Sequence, residues 1–232
     1  MKYAIAPILL AITTQSQANP ITLDFGTDLW INNGSGSLAV NGSRLTVDDT
    51  DISSNIWVRI EHPIPLLPNL RLSQSDMDHA VAEITTANTT NMDTSYGDAL
   101  AYYQILDNDI ELDIGVGVKR FFGKIETTAS GPTPDSGFYD VDNTLAIAYA
   151  RGAMTIPLTV VQVSVALQQG KSGDDAISDA NLMFRYISEY NVGVGIGYRY
   201  MSTELEVANA GNSANIDSNF RGLQVSLSFH IK

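Results

Sequence analysis

The chain has 232 residues, of which 44% are hydrophobic and only 17% are charged, and it contains 13 basic residues, 26 acidic residues and no cysteine. This acidic balance argues against a nucleic-acid-binding protein, because phosphates are bound by basic patches. The absence of cysteine excludes disulfides, thiolate nucleophiles and thiolate metal ligands. No apolar run approaches the ~18 residues that a transmembrane helix needs, so the composition also excludes a helical membrane protein.

The first 18 residues have the three-part pattern of a secretory signal peptide. Lys2 supplies the positive charge, residues 4–12 form an apolar stretch, and Ser16-Gln17-Ala18 is a small-x-small cleavage site. We therefore expect export, with removal of residues 1–18 and a single mature domain over residues 19–232.

Beyond the signal peptide, apolar and polar residues alternate with a period of two, as in β-strands that have one apolar face. In the clearest segment, Val192, Val194 and Ile196 alternate with glycines. The same pattern predicts ten strands, at roughly 22–32, 54–62, 69–77, 94–106, 109–123, 138–154, 158–170, 176–187, 191–206 and 217–231. The connections alternate between short ones (63–68, 107–108, 155–157 and 188–190) and long ones (33–53, 78–93, 124–137, 171–175 and 207–216).

This alternation of short and long connections is typical of an even-stranded, up-and-down barrel in the bacterial outer membrane. The polar strand faces hold mostly small neutral residues, which suit a narrow, filled lumen better than the solvated exterior of a periplasmic lipocalin-like barrel. Aromatic residues near the predicted strand ends, such as Trp30, Tyr96, Phe121 and Phe220, favour girdles at the two membrane interfaces. The sequence therefore predicts an all-β, transmembrane antiparallel barrel of about ten strands, with eight as the fallback, short periplasmic turns and longer extracellular loops.

Several segments resemble a family of small proteobacterial outer-membrane β-barrel proteins of unassigned function. The most specific is EHPIPLLPNLRL at residues 61–72, and residues 102–108, 113–115, 119–121 and 197–199 are also similar. The chain departs from the family at its C-terminus, where such barrels usually end in an aromatic residue and this one ends Phe229-His230-Ile231-Lys232. The resemblance implies a location and an architecture, and it supplies no activity.

One candidate catalytic group is predicted at the rim of a long loop. His79 lies beside Ser75, Asp76 and Asp78, and His with Asp is the combination that a general base and its orienting partner require. The alternative is ordinary loop chemistry, since Ser, Asp and His are common where strands end. Catalysis by His79 with Asp76 or Asp78 is therefore the weaker interpretation.

A weak metal-site candidate lies in the first long connection, where Asp48, Asp49 and Asp51 could present oxygen ligands to Ca²⁺ or Mg²⁺. The spacing matches no EF-hand, so a solvated acidic surface is the favoured interpretation, and we expect no cofactor.

The charged residues on the polar strand faces form the most informative set. They are the basic residues Arg59, Arg71, Lys119, Arg185 and Arg199 and the acidic residues Glu61, Glu111, Asp113 and Asp179. Their near balance predicts mutual neutralisation inside a closed or nearly closed barrel, since a selective pore more often shows one dominant sign.

Strand register predicts two ion pairs within this set. A hairpin around residues 63–68 would place Glu61 opposite Arg71, because the alternative register places Arg59 opposite Arg71 and opposes like charges. A three-residue turn at 188–190 would place Asp179 directly opposite Arg199.

The leading functional hypothesis is a monomeric outer-membrane barrel with a structural, surface-interaction or weak channel role and no catalysis. Its partners would be outer-membrane lipids, lipopolysaccharide and the outer-membrane assembly machinery. The alternatives are a narrow, cation-biased pore for small solutes, favoured by the acidic loops, and a hydrolase with a rim site near His79.

Overall fold

The computed structural model describes residues 21–40, 43–82, 89–128, 137–209 and 212–231, and the regular structure there consists of β-strands. The strands are β1 (Thr22–Val40), β2 (Ser43–Glu61), β3 (Asn69–Asp76), β4 (Asp78–Ala82), β5 (Thr89–Asp93), β6 (Tyr96–Asp107), β7 (Ile110–Thr128), β8 (Gly137–Thr155), β9 (Val161–Ser172), β10 (Asp175–Ile187), β11 (Val192–Asn209) and β12 (Asn212–Ile231). Over these described ranges, no helix is long and apolar enough to cross a membrane. The predicted signal peptide lies outside the described residues.

The strands form a closed antiparallel barrel with ten strand positions. β3 and β4 share one position and are separated at Met77, while β5 and β6 share the next and are separated at residues 94–95. β1 closes the ring because it pairs with both β2 and β12. The predicted fold class, the ten strands and the up-and-down topology are confirmed.

Most of the described residues in the five predicted long connections lie in β-strands, so the expectation of long loops is wrong for them. β1 and β2 pair continuously from Thr22 and Glu61 to Val40 and Ser43, and β11 and β12 pair as far as Asn209 and Asn212. The predicted connections 33–53 and 207–216 are therefore mainly long hairpin arms, in which the backbone groups are paired with each other.

The outer surface of the barrel carries an apolar band around its short-turn half. On β12, Leu223, Val225 and Leu227 point outward and are 40–53% exposed, while Gln224 and Ser226 between them point inward and are buried. The other strands contribute outward residues that include Leu29, Ile31, Ile52, Ile56, Ile114, Val116, Val165, Leu167, Phe184, Val194 and Ile196. Such a surface, apolar outside and polar inside, is the arrangement of a barrel surrounded by lipid.

In the long-hairpin half this polarity is inverted. Further along β12, the outward residues are polar, as at Asp217 and Asn215, whereas Phe220 and Ile216 point inward and are at most 1% exposed. The inward apolar residues of this half join one buried cluster, which includes Leu38, Leu45, Val47, Met77, Met92, Ile125, Val141, Leu145, Ile177, Met201, Leu205 and Val207. The half with polar exterior is therefore built like a water-soluble barrel and has an apolar core.

The aromatic girdle prediction is wrong for several of its residues. Trp30, Tyr96, Phe121 and Phe220 are at most 2% exposed and point into the barrel. They alternate along their strands with outward-pointing residues, so they lie on the inner face. Large side chains of this kind fill the space between opposite walls of a narrow barrel.

We predict that a charge introduced into the apolar band will destabilise the barrel, while the same charge beyond the band will not. Val225→Arg should lower the free energy of unfolding by roughly 2–4 kcal/mol, the cost of arginine on a lipid-facing strand position near the bilayer midplane. Asn215→Arg, on the same strand and face but in the polar half, is the matched control. Urea unfolding from lipid vesicles measures both, and equal losses would contradict the assignment of the band.

Candidate functional site: the charged lumen

The structure places the nine predicted lumen charges on the inner face of the barrel. These residues are Arg59, Glu61, Arg71, Glu111, Asp113, Lys119, Asp179, Arg185 and Arg199. They are buried or half-buried, whereas most of their neighbours in the apolar band, such as Ile60, Val118 and Phe184, are exposed. They divide into a layer in the middle of the lumen and a second network towards the short turns.

The middle layer is organised around Arg199 of β11. Its Nε donates to Asp179 Oδ1 of the adjacent β10 at 3.0 Å, and its Nη2 also donates to Asp179. The same guanidinium donates to the Tyr96 hydroxyl at 2.5 Å and lies 4.8 Å from the centre of the Trp30 ring. Tyr96 is on β6, five strand positions from β11 in the ring of ten. The contact therefore spans the lumen between opposite walls.

A second buried ion pair completes this layer. Lys119 Nζ lies 2.6 Å from Asp98 Oδ1 and 3.8 Å from the centre of the Tyr96 ring, and the Lys119 side chain has no exposed surface. Tyr96 therefore contacts one cation with its ring face and the other with its hydroxyl. Because Arg199 and Lys119 each have a carboxylate partner, their charges are neutralised in the middle of the lumen.

The network towards the short turns is built on two arginines. Arg59 Nε donates to Asp24 Oδ2 at 3.0 Å and lies 3.4 Å from Glu61 Oε1. Arg151 Nη1 contacts Glu111 Oε2 at 2.7 Å and Asp113 Oδ2 at 3.0 Å. Side chains from adjacent strands extend the network: Tyr102 donates to Glu61, Gln162 donates to Glu111, and His230 Nδ1 lies 2.9 Å from Asp24 Oδ1.

Sequence reasoning missed several members of this site, namely Asp24, Asp28, Tyr96, Asp98 and Arg151. A signal was present for Asp24 and Asp28, because they alternate with Leu23, Phe25 and Leu29 at the start of β1. Arg151 gave a weaker signal, since its outward neighbours are Ala150 and Gly152 and the contrast between the faces is small.

The predicted pairing of Glu61 with Arg71 is wrong. Arg59 lies opposite Arg71, which is the register that like-charge repulsion was expected to exclude. The repulsion is offset from the other side, because Asp24 on β1 is directly opposite Arg59 and binds it. Prediction from one hairpin alone omits this second neighbouring strand.

The predicted register of β10 and β11 is also wrong, because the partner of each residue lies two positions further along the facing strand than expected. Asp179 is opposite Met201 and Arg199 is opposite Asn181. The turn has four residues, 188–191, and closes through a bond from Asn191 N to Ser188 O with Asn191 at a φ of 60°. Arg199 is long enough to reach Asp179 diagonally, so the ion pair forms in this register.

The predicted catalytic histidine and its two candidate carboxylates, His79, Asp76 and Asp78, do not come together. His79 is 2% exposed, points inward and stacks on Phe220 with ring centres 4.4 Å apart, and neither ring nitrogen has a hydrogen-bond partner among the described residues. Asp76 and Asp78 alternate with it on the exposed face. Burial lowers the pKa of His79, although Asp51 and Asp49 act in the opposite direction, and burial together with Asp93 and Asp76 raises the pKa of Asp78.

The acidic cluster does not converge on one point either. Asp48 and Asp49 alternate between the outer and inner faces of β2. Asp49 accepts hydrogen bonds from the backbone of Thr50 and Ala80, and Asp51 accepts one from Ile52 N. Within the described parts of the chain, no group of three or more His, Asp or Glu side chains is placed to hold a metal ion.

The fold and the lumen together define a closed, ten-stranded antiparallel barrel with an apolar outer band and a charged interior. No protein-family model and no curated protein sequence matches the chain. Among solved structures it is similar to the outer membrane protease OmpT from Escherichia coli, with 9% identity, a TM-score of 0.48, and coverage of 90% of this chain and 97% of that one.

Two further solved structures are similar over most of their length. An outer membrane channel from Pseudomonas putida F1 has 11% identity, a TM-score of 0.43, and coverage of 98% of this chain and 100% of that one. Neisserial surface protein A has 10% identity, a TM-score of 0.39, and coverage of 89% and 96%. At these identities and TM-scores, the similarities carry no argument about function, so the function has to be inferred from the site.

We predict that the buried ion pair at Arg199 contributes far more stability than an exposed pair of similar geometry. Arg199→Gln should lower the free energy of unfolding by roughly 3–5 kcal/mol, because Asp179 is left buried without its cation. Arg120 and Asp142 form two hydrogen bonds of 2.9 and 3.1 Å, yet both side chains are about 60% exposed. Arg120→Gln should therefore cause no measurable loss.

A double-mutant cycle checks the cause of that loss. Asp179→Asn combined with Arg199→Gln should be less destabilised than the two single variants added together, because no uncompensated charge remains. Additive losses in urea unfolding would show that Arg199 and Asp179 do not act as a pair.

We predict that His79 makes the barrel less stable as the pH falls. Its pKa is lowered in the folded protein, so the unfolded chain takes up a proton near its ordinary pKa of about 6.5 while the folded chain resists protonation. Stability should therefore fall below that pH, by at most about 1.4 kcal/mol per pH unit. His79→Phe, which preserves the stacking on Phe220, should remove this component from unfolding curves recorded between pH 8 and 5; an unchanged pH dependence would contradict the assignment.

Proposed function

We propose that the protein is an integral outer-membrane β-barrel with a closed lumen, which has a structural or surface-interaction role and no catalytic activity. The membrane assignment is supported by the outward apolar band, on which residues such as Ile56, Val116 and Val225 are 47–66% exposed. Exposed side chains of this kind on every side of a closed barrel are stable only against lipid.

The main support for this proposal is that the lumen is closed at two levels. In the middle, Arg199 and Tyr96 join opposite walls through a hydrogen bond. Beyond this layer, the long-hairpin half is filled by the buried apolar cluster around Leu38, Leu205 and Phe220, each at most 2% exposed. An ion that crossed the barrel would have to pass both, and transfer of a charge through an apolar region is costly.

The polar exterior of the long-hairpin half supports a surface role. This half extends beyond the apolar band, so that residues such as Asn215, Asp217 and Glu204 face water at the outer side of the membrane. The partners of the barrel would be outer-membrane lipids, with lipopolysaccharide around this rim, and the assembly machinery that inserts it. The resemblance of residues 61–72 to small proteobacterial outer-membrane barrels fits this location, as does the signal peptide expected at residues 1–18.

The two alternative functions are less consistent with the described residues. A cation-biased pore would need an open path, and the lumen of the described chain is filled at and beyond the Arg199 layer. A rim hydrolase would need His79 to face a carboxylate or a nucleophile in contact with solvent, yet its ring lies against Phe220 inside the barrel.

We predict that the purified, folded protein will show no steady conductance in planar bilayers. Detergent-resistant folding is checked first, by the shift in gel migration that closed barrels show on heating, and a general porin in the same bilayer controls for detection. Discrete conductance steps that are abolished by heat denaturation of the protein would contradict a closed lumen and support the pore.

A further inference from the structure

The closed lumen still contains a cavity on the short-turn side of the Arg199 layer. Its volume is about 110 Å³, enough for several water molecules. Five arginines but only three aspartates line it. The arginines are Arg59, Arg71, Arg151, Arg185 and Arg199, and the aspartates are Asp28, Asp98 and Asp179.

Three of the five arginines are bound by carboxylates and two are not. Arg59, Arg151 and Arg199 each contact at least one carboxylate within 3.0 Å. Arg71 and Arg185 have no ion pair with any residue that the structure describes, and Arg185 Nε is buried without a hydrogen-bond partner.

The two unpaired arginines are held beside the same aromatic ring. The Arg71 guanidinium lies 6.0 Å, and that of Arg185 5.8 Å, from the centre of the Trp57 ring. Gly193 leaves the space for the Arg185 stem, because a Cβ at this position would come within 3.1 Å of Arg185 Cδ. The indole face attracts each cation, but it leaves the edges of both guanidinium groups free to donate hydrogen bonds.

The lining carboxylates do not satisfy these donors. Asp98 is bound by Lys119 and Asp179 by Arg199. Asp28 accepts a hydrogen bond from Asn55 Nδ2 at 2.8 Å and forms no ion pair among the described residues. Neither the Arg71 nor the Arg185 guanidinium is therefore neutralised by direct contact with a carboxylate among the described residues. A guanidinium in a partly buried site without a carboxylate partner is unfavourable unless water or an anion satisfies its donors.

We propose that Arg71, Arg185 and Trp57 form a binding site for a phosphate oxyanion that enters from the short-turn end of the barrel. Guanidinium groups present paired donors that match the oxygens of phosphate. The ligand has one of two sources, free phosphate or the phosphodiester of a lipid headgroup at the adjacent membrane surface. The site is independent of conduction, since it lies on one side of the closed layer.

The test uses folded, full-length protein in a lipid-free maltoside detergent at low ionic strength. Inorganic phosphate is titrated by calorimetry and by fluorescence, for which Trp57 is one of only two tryptophans in the chain. We expect saturable binding, at least tenfold weaker in Arg71→Gln and in Arg185→Gln and unchanged in Arg120→Gln, whose arginine is exposed on the outer face. Because neither lumen arginine has a carboxylate partner, both variants should retain the heat-dependent gel shift.

A second arm identifies the source of the phosphate. Phosphatidylglycerol added to the micelles should displace inorganic phosphate if the site binds a lipid headgroup, with diacylglycerol as the uncharged control; without displacement, free phosphate is the ligand. The proposal is overturned if neither compound binds saturably, or if Arg120→Gln weakens binding as much as the lumen variants do. Conductance is measured on the same preparations, so a failed anion site and a failed closed-lumen proposal are distinguishable.

Discussion

The organisation of the lumen depends on the Arg199 guanidinium, which is buried between opposite walls of the barrel. A cation in this position is tolerated only when a carboxylate and further hydrogen-bond acceptors surround it. Asp179 supplies the charge and Tyr96 supplies the acceptor from the far wall. This requirement ties β6, β10 and β11 together at one level of the barrel, and the interior differs on the two sides of that level.

The change in the interior follows from the change in the surroundings. Where lipid covers the outside, apolar side chains point outward and the polar ones are left to fill the lumen, as at Val225 and Gln224. Where the strands leave the lipid, the outward face must be polar, and the same alternation turns apolar side chains such as Ile216 inward. The backbone pairing of β11 and β12 continues through both halves without interruption. One barrel therefore combines a half with a polar lumen and an apolar exterior and a half with an apolar core and a polar exterior.

This inversion explains how much the sequence could predict. The base of the barrel has a clean period of two, with apolar residues at even positions from Val192 to Tyr200, so strand number and topology could be predicted. After Tyr200 the apolar residues move to odd positions, at Met201, Leu205 and Val207. Where the change of phase coincides with a stretch rich in glycine, serine and asparagine, as beyond residue 32 on β1, the sequence resembles a loop although the strand continues.

The register errors have a different physical origin, because alternation fixes which face a residue occupies but not its partner. The β10–β11 register depends on Asn191 adopting a positive φ, which many residues in turns do not do. The β2–β3 register depends on Asp24 from a third strand. Composition could place charges in the lumen, whereas their individual contacts needed the complete ring of strands.

Whether a charge in the lumen is neutralised therefore depends on the side chains that it contacts, and the total numbers of basic and acidic residues do not decide it. Lys119 and Arg199, which border the sealed half, are both bound by carboxylates. Arg71 and Arg185 line the cavity nearer the short turns, where they keep partly exposed surface. An unpaired guanidinium can persist only where solvent or a ligand solvates it. The closed layer thus determines where free cations can lie, and it confines them to the one side of the lumen from which an anion can enter.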